Sequence, residues 1–344
     1  MGICYTDSNM NQDKVSYYHI LFPTFLYFAV LFGCYPLQIQ VIVQALCRLS
    51  DDDDGDCDSS HISSQASIIS VYSSIAIYAP TILLTGTYGS IANRYGRKLV
   101  IYIALVGVMA SIASSLYIVV VKPTNIVLPV VMGSFLYGLC GGYSTFIMAI
   151  FSYTSDATAD DPGGRKLSYP ITEGAIFLPK LVAPVLGGLV ATFWGFSYPL
   201  AVGIGFTLLA MLWVVYIPES LPEKSPCRQE PLSLSPLQTF YNIAFIFQHK
   251  TKSGTMSALP FIAISFCVYY VAYVGAAPVM ILYAKHRFNW GPDFIGYFDG
   301  VEGGVHAFSM LCIPLIVHYI TQRNFKLLSW LQVGYFFRYV SPSV

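Results

Sequence analysis

Charge is scarce in this chain. Only 10% of its residues are charged, with eighteen basic and eighteen acidic side chains cancelling to zero net charge. A soluble globular domain carries about 25% charged residues, so an ordinary soluble fold is excluded and the membrane class is indicated. The balance of signs leaves no basic field for nucleic acid. The eight cysteines form no zinc or haem spacing, so no metal is expected. H-E-x-x-H and G-x-S-x-G patterns are absent, which argues against the hydrolytic enzymes that carry them. No Asn-x-Ser/Thr sequon occurs, so N-glycosylation is not expected. The N-terminus lacks the signature of a cleavable signal: residues 1–18 are polar with a single Lys14, and the apolar run that follows is too long for a signal core.

Hydrophobic sequence is abundant instead, at 55% of residues with mean hydropathy +0.60. A bilayer-spanning helix needs about 20 mostly apolar residues. Such runs fall at 19–45, 67–88, 99–121, 126–150, 169–192, 197–218, 259–283 and 294–319, and another begins near 327. Pro36, Pro80, Pro184, Pro278 and Pro314 fall inside these runs, where neighbouring helices can satisfy the freed backbone groups. Residues 1–18 read as a cytoplasmic tail, 19–218 as a six-helix bundle, 219–258 as a proline-broken cytoplasmic linker, and 259–344 as part of a second bundle.

Lysine and arginine in short loops set orientation. With the N-terminus inside, the inner segments hold Lys14, Arg94, Arg97, Lys98, Arg165, Lys166, Lys224, Arg228, Lys250, Lys252, Arg323 and Lys326. The outer loops hold four cations, Arg48, Lys122, Lys285 and Arg287. Twelve against four places the N-terminus in the cytoplasm. The first outer loop is acidic, with Asp51 to Asp54 flanked by Cys47 and Cys57. Those cysteines face an oxidising side, so they can close a local disulfide, bridge elsewhere, or stay free. The aspartate block is a solvated segment or a cation attractor.

The turn Gly89-Ser-Ile-Ala-Asn93-Arg94-Tyr95-Gly96-Arg97-Lys98 lies between the second and third runs. It resembles the loop between helices two and three of the major facilitator superfamily, G-x-x-x-D-R-x-G-R-K, with Asn93 where the family usually has aspartate. Pro184-Val-Leu-Gly187-Gly188 in the fifth run is similar to the proline–glycine motif of the proton-driven antiporters, although Ala183 replaces the usual glycine before proline. Pro218-Glu219-Ser220 resembles the P-E-(S/T) ending of helix six. Ile171-Thr-Glu173-Gly174 and Tyr283…Trp290-Gly-Pro-Asp-Phe-Ile-Gly296-Tyr297 look most like the proton-coupled folate transporter group, with tetracycline-efflux-like features in the same pattern. The resemblance implies an all-α membrane protein of the major facilitator fold. Its first six-helix half is complete; its second is truncated, at eight to nine spans where a full member has twelve. A cavity wall so shortened would open to lipid, so transport is expected of a full-length parent and not of this chain alone.

In that frame the basic turn is a cytoplasmic gating latch, or only a topology signal. Arg94, Arg97 and Lys98 sit at helix ends where carbonyls and acids accept their protons, and Asn93 cannot supply the usual ion pair. Charged residues inside spans are sharper clues, since each costs about 2.5–3.5 kcal/mol at a helix centre. The fifth span holds Glu173 and Lys180, two turns apart and too far for a direct pair. The eighth holds Asp299, Glu302 and His306 at i, i+3, i+7, one helix face. Low dielectric disfavours the charged form of a carboxyl group, which lets it load and unload protons as access alternates. The resemblance puts Glu173 first for proton coupling, against a residue reaching to the inner interface. Asp299 and Glu302 fit proton or substrate-cation binding, and His306 fits coupling or a satisfied buried histidine. Lys180 can neutralise Glu173 or Glu302, or bind an anionic solute. Tyr269, Tyr270 and Tyr273 line a substrate cavity or pack the core, and Gly133, Gly138, Gly141 and Gly142 fit close helix packing. The folate group also uses polar residues in spans seven and ten; span seven here has no histidine, and a tenth span is absent.

The expected function is secondary active transport of a small organic solute across a lipid bilayer by alternating access. It needs no cofactor and takes protons from a gradient. The alternatives are a drug/proton antiporter, or a membrane partner that does not itself transport. The membrane is the plasma membrane or an endomembrane.

Overall fold

The computed structural model describes residues 16–49, 60–159, 162–221, 259–288 and 290–321. Within them the chain forms α1 (Tyr18–Leu49), α2 (Ser60–Tyr95), α3 (Arg97–Val121), α4 (Val127–Leu139), α5 (Gly142–Ala157), α6 (Pro162–Trp194), α7 (Ser197–Tyr216), α8 (Leu259–Phe288) and α9 (Pro292–Thr321). Among the described residues, six stretches are long and apolar enough to cross a bilayer, with Val127–Ala157 counted as one. Helices α1, α2, α6 and α9 overrun their hydrophobic runs at both ends, because helical hydrogen bonding continues past the apolar stretch. The 1–15, 50–59 and 222–258 segments, including the linker and Cys57, and 322–344 lie outside the described residues. Cys47 is disulfide-bonded.

The bundle is sealed by aromatic stacking and small-residue contacts. Tyr27 of α1 stacks on Phe146 of α5 with centroids 3.7 Å apart, and its hydroxyl lies 3.0 Å from that of Tyr137 in α4. Tyr27, Phe28, Phe146 and Tyr153 are fully buried. The opposite faces keep Leu128, Val120, Leu212 and Val215 more than half exposed, an apolar coat suited to lipid tails. The α6 helix is the pivot, packing on α1 and on α9. The motif Pro184–Gly188 explains both contacts. A Cβ at Gly187 would lie 2.9 Å from the Gly33 carbonyl oxygen of α1, and one at Gly188 would collide with the Pro292 carbonyl at the start of α9. Adjacent glycines thus face two different helices.

The fourth span departs from expectation. In place of one helix over 126–150, α4 and α5 meet at a break, with Gly141 at φ 82° and Gly142 at φ 55°. Left-handed backbone is open to glycine at little cost, so these two residues serve a break and not only close packing. The break frees carbonyls that lipid cannot satisfy. Helix α2 supplies partners there: Tyr88 donates to Leu139 O at 2.5 Å, and Thr81 donates to Gly138 O at 3.3 Å, which also accepts from Gly141 N at 2.9 Å. Gly133 and Gly138 do pack closely as expected, against Ser114 and against the Ile77 carbonyl.

Gly141→Ala forces an L-residue into the left-handed region, costing about 1–2 kcal/mol, and its methyl would also collide with Thr145. Tyr88→Phe leaves the half-buried Leu139 carbonyl without this donor, at about 1 kcal/mol. Both are expected to lower the thermal unfolding midpoint of the detergent-solubilised protein. Gly205→Ala, whose Cβ meets nothing within 4 Å, is expected to leave that midpoint unchanged or raise it.

Candidate functional site

Two polar constellations occupy the bundle, one at the end where α2 hands over to α3 and one midway along α6. At the handover, Gly96 takes φ 111° and ψ 163°, which lets α3 start one residue after α2 stops. Such a start leaves the first N–H groups of α3 without partners, and Gly96 offers no side chain to cap them. Glu219 does so from beyond the end of α7. Its Oε1 accepts from Arg97 N at 2.8 Å and its Oε2 from Lys98 N at 3.3 Å. The same carboxylate accepts from Ser220 N at 3.0 Å and Leu221 N at 3.3 Å. A carboxylate at a helix N-terminus is also favoured by the helix dipole.

The Arg97 side chain completes the joint. Its Nε donates to Asp156 Oδ2 at the end of α5, 3.0 Å away, and its Nη1 donates to Asn93 Oδ1 at 2.7 Å. Lys98 Nζ donates to Val215 O at 3.0 Å, and Tyr153 donates to Pro218 O at 3.0 Å. Asn93 therefore does join the latch, by a hydrogen bond, while Asp156 and Glu219 supply the negative charge. Neither acid was singled out from sequence as a partner of the turn; for Glu219 the P-E-S ending was the available signal. Arg94 stays exposed, 5.8 Å from the Tyr95 ring centroid, and takes no part. Gly89 keeps helical backbone and rests on Met148 Sδ, 3.5 Å from where its Cβ would be, so only Gly96 of the two needs unusual dihedrals. Among the described residues all partners of the latch lie between α2 and Leu221, just past the end of α7; Arg323 and Lys326 lie outside them.

The second constellation joins α6 to α9. Lys180, 6% exposed, sits near the middle of α6 with Nζ 3.1 Å from Glu302 Oε1. Its ammonium also lies 5.9 Å from the Phe32 ring centroid of α1, within reach of a cation–π attraction. His306 Nε2 lies 3.5 Å from the same Glu302 oxygen, and its ring stacks on Phe177 with centroids 6.0 Å apart. Of the two partners open to Lys180, the structure selects Glu302. Glu173 is half-buried and has no hydrogen bond or ion pair among the described residues. Asp299 is not drawn into the pair; it lines a cavity of about 10 Å³ with Trp290 and Phe298. A second cavity of about 30 Å³ lies among α1 to α4, lined by Gln38, Ser73, Ser111 and Ser134. Both volumes suit single waters and not an organic solute. Tyr269, Tyr270 and Tyr273 lie on α8, and their side chains fall outside the described residues. No group of His, Cys, Asp and Glu able to hold a metal is found among the described residues.

Glu219→Ala leaves two N–H groups of α3 uncapped, a loss of about 1–2 kcal/mol, measurable as a lower thermal midpoint; Glu219→Gln recovers part of it. Lys180→Met leaves Glu302 without its cation, at about 3 kcal/mol for an uncompensated charge in a span. The double variant Lys180→Met/Glu302→Gln is expected to be more stable than Lys180→Met alone, in the same measurement.

The family model of the Major Facilitator Superfamily matches residues 20–338. The human lysosomal proton-coupled steroid conjugate and bile acid symporter SLC46A3 is 24% identical over 244 residues, covering 69% of this chain and 51% of that protein. The chain thus spans about half the length of this curated relative. Among solved structures, the human organic anion transporter MFSD10 (TETRAN) superposes with TM-score 0.61 at 14% identity, over 86% of this chain and 71% of that one. A D-xylose-proton symporter gives TM-score 0.56 at 19% identity, over 87% and 69%. At these identities the structures speak for the fold alone. With a family match over most of its length and a multi-helix bundle of membrane-spanning segments, the chain is an integral membrane protein that belongs to the major facilitator superfamily.

Proposed function

We propose that this chain belongs to a secondary active transporter that moves a small organic solute by alternating access, driven by a proton gradient. The observation that carries the reading is the Lys180–Glu302 pair, a buried lysine midway along α6 and a half-buried glutamate on α9, bridging the first six spans to the eighth. An ion pair at mid-depth is costly to install and is retained where ions or substrates pass. Paired-half transporters hold their sites near the midplane, between the halves. Residues 19–218 act as one half, 259–344 as part of the other, and 219–258 as the link. Glu173, Asp299, Glu302 and His306 are the proton-binding groups, and Lys180 meets an anionic group of the solute. Tyr269 and Tyr273 are the aromatic residues assigned to the solute, and the Arg97–Asp156–Glu219 latch braces the inner gate.

The loop cations put the N-terminus and the latch in the cytoplasm. The named substrates of the human relative, steroid conjugates and bile acids, are the first solutes to try, and its lysosomal setting favours an endomembrane with an acidic lumen. A buried lysine suits the carboxylate or sulfate of such solutes.

The transporter that contains this chain, in proteoliposomes given an inward proton gradient, is expected to accumulate a labelled bile acid or steroid conjugate. Collapse of the gradient should abolish accumulation, and Glu173→Gln should uncouple flux from the gradient while exchange at equal pH persists. Accumulation against the proton flow would replace symport by drug/proton antiport. Unchanged coupling in Glu173→Gln would remove that residue from the mechanism, and absence of flux for every solute would sink the transport reading for this chain.

A further inference from the structure

We propose that His306 is a proton-operated switch that takes Glu302 away from Lys180 and thereby unties the joint between the two halves. The inference rests on the two-half transport reading for its purpose, and on contact geometry for its operation. Lys180 Nζ and His306 Nε2 both approach one carboxylate oxygen, Glu302 Oε1, at 3.1 Å and 3.5 Å. The first contact crosses from α6 to α9. The second stays within α9, one turn apart. While the imidazole is neutral, it brings no positive charge to Glu302, and the ammonium is the cation that holds the carboxylate across the seam. Once the ring gains a proton, donor and acceptor are both ionised and the contact becomes an ion pair. The ring then competes for the same oxygen without α9 having to move.

The surroundings favour that exchange. The His306 ring is stacked on Phe177, interplanar angle 25°, so it is held in place and its cationic form faces an aromatic surface. The charged and titratable groups about it are Asp299 and Glu302 on α9, and Lys180 and Glu173 on α6. From α1 comes Phe32, over which Lys180 already lies. Two cations on one oxygen repel each other, and Lys180 is the one with a flexible four-carbon stem. It can withdraw along the Phe32 face, while His306 is fixed by its stacking. Withdrawal removes the ion pair that joins α6 to α9 among the described residues. What then holds the seam is backbone packing: Gly296 on the Pro184 carbonyl, Gly300 on Leu181 and Gly303 on Lys180. Contacts of that kind have no charge to satisfy and allow the helices to slide. Withdrawal also bares an ammonium at mid-depth when a proton has been taken up, which orders proton binding before anion binding.

The test is a distance measurement on the full chain in lipid nanodiscs. Spin labels go on Tyr198→Cys of α7 and Tyr283→Cys of α8, both exposed. Other reactive thiols are replaced and the Cys47 disulfide is kept. Between about pH 8 and about pH 5, the range over which imidazole changes charge, the distance distribution is expected to shift to longer separations. His306→Gln is expected to hold the short distribution at both pH values. Glu302→Gln and Lys180→Met, which break the same tie from either side, are expected to give the long one at both. An unchanged wild-type distribution, a wild-type response in His306→Gln, or short distances in Glu302→Gln and Lys180→Met would each overturn the switch. If His306→Gln does not fold, the two tie-breaking variants still decide the matter. The readout needs no solute, so absence of flux in proteoliposomes and failure of this switch are separate results.

Discussion

A charge at mid-depth in a bilayer must have its counter-charge supplied by the protein, and this requirement shapes the centre of the molecule. Lys180 cannot reach water along α6 without a neighbour giving way, so it takes Glu302 from α9 and the face of Phe32 from α1. Three helices that are distant in sequence are thereby tied at one point. The tie is reversible because its acid is shared with His306. A hydrophobic substitute of equal volume would pack the seam as well, and often more stably. What an ion pair adds is a bond that a proton can break.

The same demand for internal partners recurs wherever the backbone leaves helical geometry. At Gly141–Gly142 the fourth span breaks, and hydroxyls of α2 take up the freed carbonyls. At Gly96 the chain leaves α2 and enters α3 in a single residue, and Glu219 takes up the freed amides. Neither device is local: each irregular residue depends on a side chain from another helix. The first six spans are therefore cross-braced at two levels, and α2 takes part in both.

The fold was largely legible in the sequence, because a run of apolar residues in a chain with so little charge has few structural meanings. All eight apolar runs correspond to helices, and the basic turn sits where two of them meet. The break inside the fourth span was not legible. Its apolar run is continuous, and a glycine pair reads equally as a packing face or a break until a neighbour is seen to satisfy the carbonyls. At the centre, the i, i+3, i+7 pattern of Asp299, Glu302 and His306 located the face but not the pairing. Choosing Glu302 over Glu173 for Lys180 depends on how α6 and α9 cross, which no local spacing encodes. Asp156 escaped notice for a related reason: a carboxylate at the last turn of a span looks like an interfacial residue unless Arg97 is known to lie 3.0 Å away.

The glycines of the α6–α9 seam and its ion pair are parts of one arrangement. Helix axes approach closely only where side chains are missing, and here the missing ones are on both sides: Gly188 on α6, and Gly296, Gly300 and Gly303 on α9. A side chain at Gly303 would collide with the backbone of Lys180 itself. With the helices held further apart, Lys180 would meet Glu302 through water or not at all, and a carboxylate reached through water is a weaker partner to surrender to histidine. The close backbone contact therefore sets the strength of the charge contact, and the charge contact gives the close packing something to release. Glu173 lies two turns away along α6, with no hydrogen bond or ion pair among the described residues, past the point where this tie operates.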